Sequence, residues 1–468
     1  MLTVTGALKI VVDATTETEG DLIIVDGRVV AAGAGVGAWV GARAGGTAGA
    51  SAGGTAGASA GGTAGASAGG TAESLDASGC VVTPGLVNAH HHLLQSAFRT
   101  LPGTRGVPMA EWLGVMASAY SARGVDPELV WLAARVGMAE ALLSGVTTVA
   151  DHHLTWPAGA DSVEFARAAA EAATSLGGRL AFVRGAAKDD PETAADSAAE
   201  IIGALLPAGA RGVTADGMLQ IAVGPAGVHS DPEATFRLMG EVATTYGVRR
   251  RTQANEQVDV VIALERYGRR PLDLLDEWGW LAPDVTVAHL CDVTDAEITR
   301  LASAGVTATH APGCDLPMGW GIAPAGRLID AGITVGLGTS GGGSNDAGHL
   351  LADARLAMQV SPLAGRGLTA REAISMATEG SALGLGRTEL GHLREGAAAD
   401  LCVWDVSGVA DAGVANPVAG LLWASPGRRP RHVVVRGRVV VRDYQLVRAQ
   451  EGVIVAELGA RLSAGHAG

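Results

Sequence analysis

The side chains best able to do chemistry in this sequence are histidines that follow short apolar segments. His90 and His92 stand two residues apart at the end of one segment, with His91 between them. Because side chains along a strand alternate between its two faces, His90 and His92 face the same way and His91 faces the other way. Two imidazoles on one strand can hold a metal ion, whereas the simpler alternative is a pair of polar residues near a turn. We predict that His90 and His92 bind metal.

Polar residues also stand at the ends of several later apolar segments. Seven of the twelve histidines fall at such ends, a concentration that chance does not explain. One end carries Gln253, with Glu256 three residues further along the chain. The other ends carry Asp151-His152-His153, His289, His310 and Ser340.

These ends belong to a repeating pattern in the middle of the chain. Eight β-rich, mostly apolar segments alternate with stretches of helical periodicity, such as 127–143 and 231–245. The segments cover residues 81–89, 144–150, 179–185, 218–224, 246–253, 284–290, 305–311 and 332–340. The alternation predicts an α/β protein with a (β/α)8 barrel, and the alternative is a doubly wound sheet. Catalytic groups of such a barrel lie at the carboxyl ends of the strands.

Both ends of the chain are also β-rich, with short strands around tight turns. We therefore predict one small β-sandwich assembled from both termini. The predicted domains are residues 1–82 and 395–468 for the sandwich and 83–394 for the barrel. A Gly/Ala/Thr/Ser tract at 45–72 repeats an eight-residue unit that cannot bury apolar surface, and we expect a dispensable loop.

Composition disfavours several classes of protein. The chain has 34 Lys and Arg against 48 Asp and Glu, a net charge of −14, which argues against nucleic acid and anionic membranes as partners. No apolar run is long enough to span a membrane, no signal peptide is recognisable, and the four cysteines lack CxxC spacing. We expect a cytoplasmic enzyme with reduced thiols and a small-molecule substrate.

Several motifs resemble one enzyme family. The segment from Pro84 to His92, PGLVNAHHH, is similar to the PGxxxxHxH signature of the amidohydrolase superfamily. Further segments resemble its branch of triazine hydrolases and 8-oxoguanine deaminases; they cover residues 145–151, 288–290, 318–324 and 338–346. Apart from the tract at 45–72, the resemblance covers essentially the whole chain.

The resemblance implies a mononuclear Zn²⁺ or Fe²⁺ site and assigns roles at matching positions. His90 and His92 match two ligands, Glu256 matches a glutamate that moves protons, and His289 matches a histidine that orients water or substrate. The metal of such a site lowers the pKa of bound water, and the glutamate protonates the leaving nitrogen.

Two positions depart from the family pattern. Gln253 stands where the family has a third histidine ligand, and Ser340 stands where most members have an aspartate. An amide oxygen is a poorer zinc ligand than imidazole, so reduced metal occupancy is expected, with Gln253 as a weak ligand. Arg251 shares the facing of Gln253 and would repel a dication, unless an acidic partner holds it lower in the barrel.

Six further residues are predicted to contact the substrate. Trp320 suits contact with a planar ring, and the alternative for it is burial in the core. For His310 and Asp315 the alternative is a packing role. The six are Gln95, Trp112, Arg251, His310, Asp315 and Trp320.

The first interpretation is hydrolysis at a ring carbon of a purine, pyrimidine or triazine, with loss of an amino, alkylamino or halide group. Glu256, His289 and Ser340 are the predicted catalytic residues. Two alternatives stay open: a metal-independent, non-hydrolytic biosynthetic enzyme on the same scaffold, and a catalytically inactive binding protein. A homodimer is expected.

Overall fold

The computed structural model of the 468-residue chain describes residues 1–34, 36 and 73–464. The Gly/Ala/Thr/Ser tract at 45–72 lies outside the described residues, so its expected dispensability stays a prediction. Among the residues described, no helix is long and apolar enough to cross a membrane.

The strands fall into two sheets. In chain order they are β1 (Leu2–Val11), β2 (Glu17–Val25), β3 (Arg28–Gly33), β4 (Glu73–Asp76), β5 (Cys80–Pro84), β6 (Leu86–His92), β7 (Val146–His153), β8 (Arg179–Ala186), β9 (Leu219–Pro225), β10 (Arg249–Ala254), β11 (Val285–His289), β12 (Thr307–His310), β13 (Val335–Leu337), β14 (Ser340–Gly341), β15 (Leu401–Asp405), β16 (His432–Val435), β17 (Arg438–Arg442) and β18 (Gln445–Leu446).

Helices separate most of the central strands. In chain order they are α1 (Met109–Arg123), α2 (Pro127–Leu143), α3 (Ser162–Leu176), α4 (Pro191–Leu205), α5 (Glu233–Tyr246), α6 (Gln257–Tyr267), α7 (Pro271–Glu277), α8 (Asp295–Ala304), α9 (Pro312–Asp315), α10 (Ala325–Asp330), α11 (Leu350–Val360), α12 (Ala370–Ser375), α13 (Ser381–Gly384), α14 (Pro417–Trp423) and α15 (Glu451–Ala464). Short 3₁₀ turns cover Leu93–Ala97, Ser361–Leu363 and Val409–Asp411, and a π-helical turn covers Met376–Gly380.

The central sheet is parallel and closes on itself. Strands β6 to β13 pair in chain order, and β14 pairs with β6 through Ser340 and His91. Because β13 pairs with β12 while β14 pairs with β6, these two short strands are the halves of one eighth strand. Gly338, between the halves, lies so close to His90 that an added Cβ would come within 2.7 Å of it. The predicted (β/α)8 barrel is confirmed.

Helix starts around the barrel follow local capping chemistry. The Asp126 side chain accepts the backbone N–H of Leu129 at the start of α2, and Asp190 accepts that of Thr193 at the start of α4. Each helix also has proline at its first position, where no backbone donor is needed. The apolar faces of these helices pack on the strands in one large core.

The second sheet draws on both ends of the chain. Its order is β18-β17-β16-β15-β5-β1-β2-β3, with β4 beside β1, and the N- and C-terminal parts join where β15 pairs antiparallel with β5. A sheet built from both termini is therefore confirmed, whereas the domain boundaries stay a prediction.

A buried ion pair joins this sheet to the foot of the barrel. Arg179, on β8, donates to the two carboxylate oxygens of Asp400 at 2.6 and 3.0 Å, and both side chains are 3% exposed. Asp400 also accepts the backbone N–H of Arg436 at 2.7 Å. Bidentate geometry and a further donor offset the desolvation of the two charges.

Candidate active site

The histidines at the ends of the barrel strands meet in one cluster. The rings of His90 and His92 have centroids 4.9 Å apart, and that of His289 lies 5.2 Å from His90. His91 faces away, and its Nδ1 hydrogen-bonds the backbone carbonyl of Ser340. The alternation expected from the sequence therefore brings His90 and His92 together.

Hydrogen bonds leave nitrogen lone pairs available in this cluster. His92 Nδ1 donates to the carbonyl of His152 at 2.7 Å, which fixes the tautomer and leaves Nε2 unprotonated. His90 Nε2 is buried without a hydrogen-bond partner among the described residues. Burial lowers the pKa of His92 to about 4 and that of His90 well below its usual value. Both imidazoles are neutral near pH 7 and can bind a cation.

Gln253 and Glu256 adjoin the histidines at the end of β10. Gln253 Oε1 lies 3.1 Å from His289 Nε2, and Glu256 Oε1 lies 3.4 Å from the same nitrogen. Burial raises the pKa of Glu256 to about 7, which His289 opposes and Asp315 reinforces. Glu256 Oε2 is buried and has no hydrogen-bond partner among the described residues. A carboxyl group with such a pKa can both accept and release a proton near neutrality.

His289 is held from behind by Asp315. His289 Nδ1 donates to Asp315 Oδ1 at 2.7 Å, and His310 Nδ1 lies 3.3 Å from Asp315 Oδ2. Burial by itself would lower the pKa of His289, but the carboxylates of Asp315 and Glu256 raise it above its usual value.

The backbone is strained at two of these strand ends. His289 has φ of 75° and Ser340 has φ of 54°, values that side-chain-bearing residues seldom adopt. Such strain persists where surrounding contacts impose it, and it is frequent at functional sites.

Arg251 lies deeper in the barrel than Gln253 and is only 3% exposed. Its guanidinium donates to the backbone carbonyls of Ala89 and Gly384, and it has no carboxylate partner among the described residues. Arg251 is therefore held deep in the barrel by neutral backbone carbonyls and not by an acidic side chain. Burial lowers the pKa of Arg251 to about 9, and its charge contributes to the lowered pKa of His90.

A cavity of about 370 Å³ opens above this cluster. Its floor is polar and its outer wall is mainly apolar and aromatic. Seven of the predicted residues line it: His92, Gln95, Trp112, Gln253, Glu256, Trp320 and Ser340. Five others do not line it: His90, Arg251, His289, His310 and Asp315. Direct substrate contact by Arg251, His310 and Asp315 stays a prediction.

Gln95 and Trp112 use their polar atoms inside the protein. Gln95 Oε1 accepts the backbone N–H of Gly343 at 3.0 Å, and Trp112 Nε1 donates to the Gly343 carbonyl at 3.0 Å. Together they hold the loop that follows Ser340, and they present their remaining surface to the cavity.

Sequence reasoning missed several lining residues. His229 follows β9 in the same way that other polar residues follow their strands, and that position was a usable signal. Met116 and Tyr120 lie on α1, one and two turns beyond Trp112, so helical periodicity could have found them. Trp156 lies in a loop that no pattern connected to the site.

Sequence comparison finds clear relatives. Residues 81–440 match the amidohydrolase family. The 8-oxoguanine deaminase of Pseudomonas aeruginosa is 35% identical in an alignment of 402 positions that covers 83% of this chain and 88% of that protein. A 5-methylthioadenosine/S-adenosylhomocysteine deaminase of Natronomonas pharaonis is 33% identical, over 82% of this chain and 86% of the relative.

Comparison of structures finds a solved structure that matches nearly the whole chain. The crystal structure of atrazine chlorohydrolase from Arthrobacter aurescens TC1 complexed with zinc superposes with a TM-score of 0.86 at 34% sequence identity. The match covers 99% of this chain and 100% of that one.

Proposed function

Because this chain belongs to the amidohydrolase family, we propose that it hydrolyses a substituent from a ring carbon of a nitrogen heterocycle. The observation that carries the proposal is the position of Glu256, whose carboxyl lines the floor of an apolar-walled cavity beside Gln253 and the histidine cluster. The leaving group is an amino or alkylamino group or a halide. The relatives are named for activity on purines and on a triazine, and these activities support this substrate class.

The residues of the cluster fit a divalent metal ion such as Zn²⁺ or Fe²⁺. His90 and His92 would hold it with two imidazole nitrogens and Gln253 with its amide oxygen. The unpartnered, buried Nε2 of His90 is the observation that favours a ligand at this point. When bound, such an ion lowers the pKa of a coordinated water towards neutrality.

Glu256 would move the protons of the reaction. Its carboxylate takes a proton from the water whose oxygen bonds to the ring carbon. It then gives the proton to the leaving nitrogen, so the ring C–N bond breaks and ammonia or an amine departs. The oxygen stays on the ring as a hydroxyl, which becomes a ring carbonyl when its proton moves to the adjacent ring nitrogen. A pKa of about 7 suits both transfers.

Three further residues would orient the reactants. His289, fixed by Asp315, presents Nε2 towards Glu256 and Gln253. Trp320 lines the cavity with its ring edge-to-face against His289 at 5.2 Å, which offers an apolar face to a planar substrate. The Ser340 hydroxyl lines the same cavity and would hydrogen-bond the water or the ring. A homodimer and a cytoplasmic location remain proposals.

The test is turnover of a panel containing aminopurines, 5′-methylthioadenosine and chlorotriazines, with detection of released ammonia, amine or chloride. For the best substrate, Glu256→Gln should lower kcat by about 10²- to 10⁴-fold, the usual contribution of general acid–base catalysis. Glu265→Gln, at an exposed position on α6, is the matched control and should leave kcat unchanged. Equal activity of the Glu256→Gln variant would contradict the proposed role.

A further inference from the structure

A second cluster of metal-binding side chains lies behind His289, on the side away from Gln253. His289, Cys314 and Asp315 are all buried, and one ligand atom from each lies within 4.8 Å of the others. We propose that these three side chains form a divalent-metal site of their own, with thiolate, imidazole and carboxylate ligands. This site would be distinct from the one proposed at His90 and His92.

The geometry of the cluster supports this assignment. His289 Nδ1 and Asp315 Oδ1 are 2.7 Å apart and now share a hydrogen, which a metal ion would replace. Asp315 Oδ2 is buried, and its nearest polar neighbour is His310 Nδ1 at 3.3 Å, so this oxygen keeps a lone pair that can bind an ion. Cys291 packs against the apolar cluster that contains Cys314, which shields the three ligands from solvent.

Both sides of the cluster are attached to rigid elements. His289 ends β11, while Cys314 and Asp315 lie in α9, directly after the neighbouring strand β12. The turn of α9 is fixed because Asp353 accepts the backbone N–H of Gly313 at 2.8 Å. A Cβ at position 313 would come within 2.4 Å of the Asp353 carboxylate, so this close approach favours glycine. Ligands held in this way need little reorganisation to bind an ion.

Charge balance favours a divalent ion of borderline softness. A dication with the Cys314 thiolate, the Asp315 carboxylate and a neutral His289 carries no net charge, which reduces the cost of burial. Thiolate and imidazole ligands select Zn²⁺ or Co²⁺ rather than Mg²⁺ or Ca²⁺. The thiol proton leaves as the metal enters, and His289 Nε2–H still donates to Gln253 Oε1.

The test is a titration of metal-stripped, full-length protein with Co²⁺, in which the absorbance spectrum is recorded after each addition. A thiolate bound to Co²⁺ produces a strong charge-transfer band in the near ultraviolet, which nitrogen and oxygen ligands do not produce. The unmodified protein should show this band, and Cys314→Ser should lose it. Cys80→Ser removes a buried thiol from the other sheet and should keep it. A double variant, His90→Asn with His92→Asn, should also keep the band, so the result does not depend on the proposed hydrolytic function.

A band that persists in Cys314→Ser, or that is absent from the unmodified protein, would overturn the proposal. If Cys314→Ser does not fold, zinc-edge X-ray absorption of the unmodified protein decides instead. A sulfur neighbour at about 2.3 Å from zinc supports the site. A shell of nitrogen and oxygen alone contradicts it.

Discussion

Replacing Gln253 by histidine should strengthen metal binding at the His90 and His92 site. Gln253 contributes an amide oxygen to the floor of the cavity, where it lies 3.1 Å from His289 Nε2. An imidazole at this position would add a third nitrogen ligand to the two that are already available. We expect zinc affinity to rise about 10- to 100-fold, the scale on which even indirect ligand partners act. This range corresponds to about 1.4–2.8 kcal/mol.

Arg251 limits the gain in zinc affinity that Gln253→His can produce. Its buried charge reaches the cluster, because it contributes to the lowered pKa of His90. At a separation of about 6 Å and an effective dielectric constant of about 20, one positive charge opposes a dication by about 5.5 kcal/mol. The double variant Arg251→His with Gln253→His removes this repulsion and should bind zinc more tightly than Gln253→His alone. It also leaves the carbonyls of Ala89 and Gly384 without their donor, at a cost of about 1–3 kcal/mol in stability.

Zinc affinity is measured by competition with a chromophoric chelator, and stability by denaturant unfolding of the same samples. Gln450→His, at an exposed position, controls for the addition of an imidazole to the surface. If neither Gln253→His nor the double variant binds zinc more tightly than the unmodified protein, position 253 does not face the metal and the ligand assignment is wrong.

Three further predictions concern stability. Asp400→Asn leaves the buried Arg179 charge unpaired and should lower the free energy of unfolding by about 3 kcal/mol in urea titrations. The control Arg237→Ala, in an ion pair whose arginine is 59% exposed, should change the free energy of unfolding by about 0.5 kcal/mol at most. Equal losses in the two variants would contradict the prediction. Burial raises the pKa of Asp353 from 3.8 to about 7, so the folded protein binds more protons than the unfolded chain between these pH values, and its stability falls as pH rises from about 4 to about 7. Asp353→Asn should make this fall less steep by up to about 1.4 kcal/mol per pH unit. An unchanged pH profile of unfolding would contradict the raised pKa. Replacing residues 45–72 by a short Gly-Ser linker should leave Tm almost unchanged, because loop closure costs only about 0.6 kcal/mol per doubling of length, and a drop of many degrees would refute this.

The barrel was predictable because its signals repeat along the chain. Each strand is a mostly apolar segment, most of these segments end in polar residues, and the register of His90 and His92 follows from alternation alone. The split of the eighth strand into β13 and β14 has no comparable signal. It depends on the close approach of Gly338 to His90, a contact between residues far apart in the sequence.

Hydrogen-bond partners inside the site were less predictable than positions. Alternation correctly put Arg251 and Gln253 on one face, but depth in the barrel decides that only Gln253 reaches the cavity. Gln95 and Trp112 line the cavity as expected, while their polar atoms hold Gly343. Such pairings depend on loops whose course no local pattern determines.

The departures from the family pattern are connected through His289. Ser340 supplies no carboxylate on the eighth strand, but Asp315 supplies one beside the neighbouring strand and binds His289 Nδ1. Gln253 supplies an oxygen rather than a nitrogen, and that oxygen faces His289 Nε2. His289 therefore hydrogen-bonds both Gln253 and Asp315, and changing either residue alters which ring nitrogen of His289 carries the proton. For this reason Gln253→His and substitutions at Asp315 should show non-additive effects on metal binding, measurable in a double-mutant cycle.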